Sequence, residues 1–131
     1  IEDGDSLIVT SGVTPHLTVL YANERTNLKI VTDSFHVAVD LCRRKDYQTI
    51  VLGGELHKEH YFVHGRDAVR QAGRYMADKA ILTMDGVDPE AGLTTLRVEG
   101  AQDFVSLWQT SRKSEMRAFA TSEILPSRIC W

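Results

Sequence analysis

Leu7-Ile8-Val9-Thr10-Ser11-Gly12-Val13-Thr14-Pro15 is the stretch whose reading decides the fold. Its β-branched opening, Leu7 to Thr10, predicts a short strand, and Ser11-Gly12 predicts the turn that stops it. Pro15 is placed to open a helix with Thr14 as its N-cap, and Leu17, Leu20 and Tyr21 then recur at three- and four-residue spacing. The segment reads as strand, tight loop, helix.

The same unit recurs downstream. Leu28-Lys29-Ile30-Val31-Thr32 predicts a second strand, and Asp33-Ser34 precedes Val37, Ala38 and Leu41 as the start of a capped helix. Thr49 to Leu52 predicts a third strand ended by Gly53-Gly54. After an irregular stretch, Asp67 to Ala72 begins a third helical pattern, and Lys79 to Met84 predicts a fourth strand closed by Asp85-Gly86. Beyond residue 96 the signals weaken: Val98 to Trp108 predicts a helix weakened by Gly100, and Ala118 to Thr121 is a poor strand.

Short apolar strands alternating with helices predict an α/β fold: an open, mainly parallel sheet with helices on both faces. Right-handed crossovers bring every strand C-terminus, and the loop after it, to one rim, where open α/β sheets bind ligands. Four loops meet there: Ser11-Gly12-Val13-Thr14, Thr32-Asp33-Ser34, Gly53-Gly54-Glu55 and Asp85-Gly86-Val87-Asp88. Each carries a glycine or a small hydroxyl residue, so backbone amides can approach an anion closely. Such a rim suits a small phosphorylated or polyhydroxylated ligand.

Composition bounds the alternatives. The 131 residues are 43% hydrophobic and 25% charged, the mix of one compact domain. No apolar run approaches the roughly 20 residues of a membrane span, so no membrane partner is expected. A net charge of −3, with no basic run longer than Arg43-Arg44-Lys45, argues against DNA binding by this chain itself. Cys42 and Cys130, far apart and outside any CxxC, suit reduced thiols in a cytoplasm. A start at Ile1 rather than Met is expected of a piece of something longer.

Each motif has a plainer reading beside the functional one. Ser11 to Thr14 is a phosphate cradle or an ordinary strand-to-helix turn, and it matches neither nucleotide-binding glycine pattern, so no cofactor is implied. Asp33 and Ser34 are sugar-hydroxyl contacts or N-caps. Gly53 and Gly54 are read first as backbone geometry, with Glu55 facing the pocket, and Asp85 through Thr95 by default as a turn-rich loop. His57, His60 and His64 have helical spacing, but the flanking glycines argue against a helix and no carboxylate or thiolate pattern completes a metal site. Carboxylates at Asp33, Asp85, Asp88 and Glu99 suit an isomerase acting on a sugar phosphate, yet no lysine stands in the rim loops to manage an oxyanion. That absence counts against an enzyme.

In order, these motifs resemble the effector-sensing domain of DeoR-type transcriptional regulators. The matching pieces are Asp3-Gly4-Asp5, Ser11 to Thr14, LKIVTDS (28–34), VLGGEL (51–56), His64 to Ala68, DKAILTMDGVD (78–88) and GLTT (92–95). The resemblance covers residues 1–101, and residues 102–131 read as a divergent or truncated tail. It implies a fold similar to ribose-5-phosphate isomerase and CoA transferases, and a non-catalytic domain that binds a phosphorylated sugar or related metabolite. Carried over by position, Ser11, Gly12, Val13 and Thr14 hold the phosphate, and Asp33 and Ser34 contact the sugar. Gly53, Gly54 and Glu55 shape the middle of the rim, and Asp85 and Gly86 line its far side. The resemblance further implies a homo-oligomer, a repressor of carbohydrate genes, and DNA contacted only through a helix-turn-helix preceding Ile1. Asp33 stands where the family usually has Asn, and the expected C-terminal lysine is missing. The alternatives are a sugar-phosphate isomerase on the same scaffold and a ligand-free oligomerisation domain.

Overall fold

The computed structural model describes residues 1–83 and two short strands, Gly86–Asp88 and Gly92–Thr94. The expectations placed on Asp85, on Glu99, on a helix over 98–108, on a strand over 118–121 and on the tail from residue 102 lie outside the described residues. In chain order the elements are β1 (Ser6–Val9), α1 (Val13–Tyr21), β2 (Lys29–Thr32), α2 (Phe35–Leu41) and β3 (Gln48–Val51). There follow β4 (Glu55–His57), β5 (Phe62–His64), α3 (Arg66–Ala72), β6 (Lys79–Ile81), β7 (Gly86–Asp88) and β8 (Gly92–Thr94).

The main sheet has the order β3-β2-β1-β6, and each neighbouring pair is parallel. Side chains alternate across it as a two-residue period requires. Leu7, Val9, Ile30 and Ile81 point to one face, where they meet Val19 of α1 and Val37 and Leu41 of α2. Ile8, Val31, Ala80 and Leu82 point to the other and meet Ala72 of α3. Helices therefore cover both faces, which explains why these strands read as continuous apolar runs rather than alternating ones. Leu7, Val9, Leu28, Ile30 and Val37 are fully buried, and each such side chain contributes about 1.5–3 kcal/mol by leaving water.

The edge where the strands begin is tied by charge. Lys79 Nζ lies 2.6 Å from Asp5 Oδ2, which also accepts the Glu2 N–H at 2.7 Å. Asp78 Oδ2 accepts the Ser6 N–H at 2.8 Å and the Ser6 hydroxyl as well. Both carboxyl groups titrate below their ordinary range. At Asp5 burial opposes ionisation, but the Lys79 ammonium and the Glu2 amide outweigh it. At Asp78 the two hydrogen bonds from Ser6 are the cause.

Three local expectations change. The irregular stretch after Gly54 is an antiparallel hairpin, β4 paired with β5, so the His57, His60 and His64 spacing belongs to a hairpin and not a helix. Gly86 to Asp88 pairs antiparallel with Gly92 to Thr94, giving a second hairpin where a turn-rich loop was expected. Helix α1 begins at Val13 with Gly12 as its N-cap, not at Pro15 behind Thr14. Pro15 is tolerated in the first turn because its missing N–H would have had no intrahelical acceptor there.

Candidate functional site

Strand order reverses at β1: the chain leaves it through α1 toward β2 on one side, while β6 returns on the other. In open α/β sheets the crevice between the loops after two such strands is the usual ligand position, and here that position falls at the ends of β1 and β6. The two strand ends are hydrogen-bonded to each other. The Thr10 N–H donates to the Ile81 carbonyl at 3.1 Å, and the Thr83 N–H donates to Thr10 Oγ1 at 3.2 Å.

Gly12 closes against this wall. Its φ of +138° is one that residues with a Cβ rarely adopt. A Cβ there would lie 2.4 Å from Thr83 Oγ1 and 3.2 Å from Thr83 Cβ. Thr83 Oγ1 is itself buried and has no hydrogen-bond partner among the described residues, a state that costs about 1–3 kcal/mol unless something fills it. Helix α1 starts beside it with no side-chain cap, so its first N–H groups receive no acceptor from Gly12. The Thr14 carbonyl is occupied by Thr18 Oγ1 at 2.8 Å.

Asp33 and Ser34 have distinct tasks. Ser34 is the N-cap of α2, its Oγ accepting the Val37 N–H at 3.4 Å while its own N–H donates to Thr32 Oγ1 at 3.0 Å. Asp33 is 8% exposed and does not cap the helix. Its Oδ1 accepts the Ser11 N–H at 2.7 Å, joining the loop after β2 to the loop after β1. Of the donors expected to cradle a phosphate, the Ser11 amide is thus engaged by a carboxylate from within the chain. In the same loop Gly12 and Val13 are exposed, and Ser11 and Thr14 are half-buried.

Gly53, Gly54 and Glu55 follow β3, two strands from β1, and the hairpin they open meets the Asp33 loop, where the Val63 N–H donates to the Asp33 carbonyl at 2.9 Å. The three residues line a cleft of 780 Å³ whose opposite wall is α3, with Arg66 and Arg70 on it and Arg74 just past its end. Gln71 Oε1 accepts the Gly53 N–H at 2.8 Å and fixes α3 to this loop. A Cβ on Gly54 would lie 2.6 Å from the His64 carbonyl, so the two backbones touch. Gly86 sits in β7, opposite Thr94, and Asp85 lies outside the described residues.

The histidines pack as rings. His57 stacks on Phe62 at 4.8 Å and on His60 at 5.1 Å between centroids. His16 Nε2 lies 2.6 Å from Asp40 Oδ2 and joins α1 to α2. Among the described residues no three His, Cys, Asp or Glu side chains are grouped to hold a metal ion, and no helix is long and apolar enough to cross a membrane. Sequence reasoning missed Thr10 and Thr83, which lie in or just past apolar runs read as strand, and it missed the arginines of α3. The four-residue spacing of those arginines was the available signal.

A parallel sheet covered by helices on both faces, its strand order reversing at β1, defines an α/β domain. The chain belongs to the DeoR C-terminal sensor domain family, whose model it matches over residues 1–115. Among its relatives, the HTH-type transcriptional repressor GlcR of Bacillus subtilis (strain 168) is 29% identical over 99 residues, covering 76% of this chain and 38% of that protein. The glycerol-3-phosphate regulon repressor of Escherichia coli (strain K12) is 29% identical over 93 residues, covering 71% of this chain and 37% of the relative. A putative aga operon transcriptional repressor of Escherichia coli O157:H7 is 25% identical over 95 residues, 72% of this chain and 35% of its own length. The chain thus spans less than two-fifths of the relatives it matches.

Proposed function

We propose that this chain is the metabolite-sensing part of a DeoR-type repressor, that its effector is a phosphorylated sugar or a close relative, and that it performs no catalysis. The carrying observation is the contact between the ends of β1 and β6. An uncapped helix start faces Thr83 Oγ1, a buried polar atom with no partner among the described residues, across a glycine that leaves no room for a side chain. A phosphate there accepts from the Val13 and Thr14 amides, from the Ser11 and Thr14 hydroxyls and from Thr83. The names of the relatives support a repressor, and the glycerol-3-phosphate regulon repressor supports a phosphorylated effector.

Signalling then follows from differential binding. An effector that favours one arrangement of the rim loops and of a subunit interface shifts the regulator toward the state with that arrangement, and so changes its affinity for DNA. DNA contact belongs to a helix-turn-helix preceding this domain, and the regulator acts as a homo-oligomer in the cytoplasm. The test is calorimetric titration with a panel of sugar phosphates and the corresponding free sugars. At least one phosphorylated member is expected to bind while its free sugar does not, and Thr83→Val is expected to weaken that binding about tenfold. Failure of every phosphorylated member to bind sinks the reading.

A further inference from the structure

The cleft between α3 and the loop after β3 has a chemistry that the rim crevice does not use. Arg66 and Arg70 are four residues apart on α3 and share a face, and Arg74 follows four residues later, just past the helix end. All three line the cleft. Arg70 is held by Asp67 through an i,i+3 pair, whereas Arg66 and Arg74 have no ion pair among the described residues. Within the cleft three guanidinium groups face two carboxylates, Asp67 and Glu55, although the chain as a whole carries −3. Positive charge is therefore concentrated here against the overall balance.

The walls are fixed before any ligand arrives. Gln71 ties α3 to the Gly53 amide, and Gly54 brings its backbone against the His64 carbonyl so closely that no side chain fits between them. A volume of 780 Å³ is in the range of small-ligand sites, about 300–1,000 Å³. Planar guanidinium groups bind phosphate oxygens bidentately, and two of them on one wall match a group with several oxygens and at least two negative charges.

We infer that this cleft is a second anion site, separate from the β1–β6 crevice, which takes the phosphate or pyrophosphate group of a small metabolite on Arg66 and Arg74. Arg70 is kept in place by Asp67 as a third, weaker contributor. Glu55, on the facing wall, repels a second anionic group and so limits the ligand to one charged end. The inference does not depend on the effector reading of the crevice.

The experiment titrates pyrophosphate and, separately, orthophosphate into the 131-residue chain by calorimetry, at low salt and then with added sodium chloride. Pyrophosphate is expected to bind with millimolar or tighter affinity, more tightly than orthophosphate, and to weaken as salt screens the exposed arginines. Arg66→Gln combined with Arg74→Gln is expected to weaken binding tenfold or more while the thermal transition stays in place, because both side chains are exposed. Glu55→Gln is expected to strengthen it. Absence of pyrophosphate binding by the unmodified chain, or equal binding by the double variant, overturns the inference.

Discussion

Asp33 Oδ1 accepts the backbone N–H of Ser11 at 2.7 Å, so a buried carboxylate from one strand-end loop holds the amide of another. The bond fixes the loop after β1 in the shape that presents Gly12 to Thr83. It also puts a negative charge where the proposed phosphate must approach. Asp33→Asn keeps an acceptor oxygen without the charge, and is expected to preserve stability while tightening sugar-phosphate binding about tenfold, equivalent to about 1.4 kcal/mol. Asp33→Ala leaves the Ser11 amide unpaired and is expected to cost about 1–3 kcal/mol. Urea unfolding and calorimetry of the two variants measure both effects.

Gly12 meets Thr83 with no space for a methyl group, and its φ of +138° adds strain for any other residue. Gly12→Ala is expected to destabilise by about 1–3 kcal/mol. Much of that clash is with the Thr83 hydroxyl, so Thr83→Ala in the same chain should recover part of the loss. A double-mutant cycle on the thermal transition reads the coupling; strict additivity would show that the two residues do not press on each other.

Ser34 caps α2 through a bond of 3.4 Å to Val37, at the long end of the useful range. Ser34→Ala is expected to cost about 0.5–1 kcal/mol, the lower part of the span for N-caps. Chemical denaturation checks this, and a loss well above that span would assign Ser34 a further structural contact.

Acid sensitivity follows from the opposite edge of the sheet. The Asp5 and Asp78 carboxyl groups titrate below the ordinary 3.8, through Lys79 and Glu2 at Asp5 and through Ser6 at Asp78. A depressed folded-state value means the stabilisation is complete above the unfolded value of about 3.9 and is lost as pH falls through the folded one. Stability is therefore expected to drop below about pH 4, with Asp5→Asn and Asp78→Asn each flattening that part of the profile. Melting curves between pH 7 and pH 3 decide it; an unchanged acid limb in both variants contradicts the assignment.

The parallel sheet was legible because Leu7 to Val9, Ile30 to Val31 and Ile50 to Leu52 are apolar on both faces, and the Ser11-Gly12 and Gly53-Gly54 stops are chemically plain. The hairpin over Glu55 to His64 was not, since three-residue strands carrying Glu and His lack a usable period. The start of α1 was misplaced because Thr14 is the better capping residue by type, whereas the required closeness of Gly12 to Thr83 joins positions far apart in sequence. Tertiary contact outweighed local preference there. Glycine pairs signalled a backbone requirement at Gly54 correctly, but the partner that imposes it, the His64 carbonyl, emerges only once the hairpin is folded.

The reversal of strand order at β1 has a mechanical side. The segment on one lip of the crevice runs on into α1, which packs on one face of the sheet, while the chain reaches the other lip from α3, which packs on the opposite face. A molecule bound between those lips is expected to act on strands that carry helices of both faces. Occupancy of a single small gap can in this way be felt on the two broad outer surfaces of the domain.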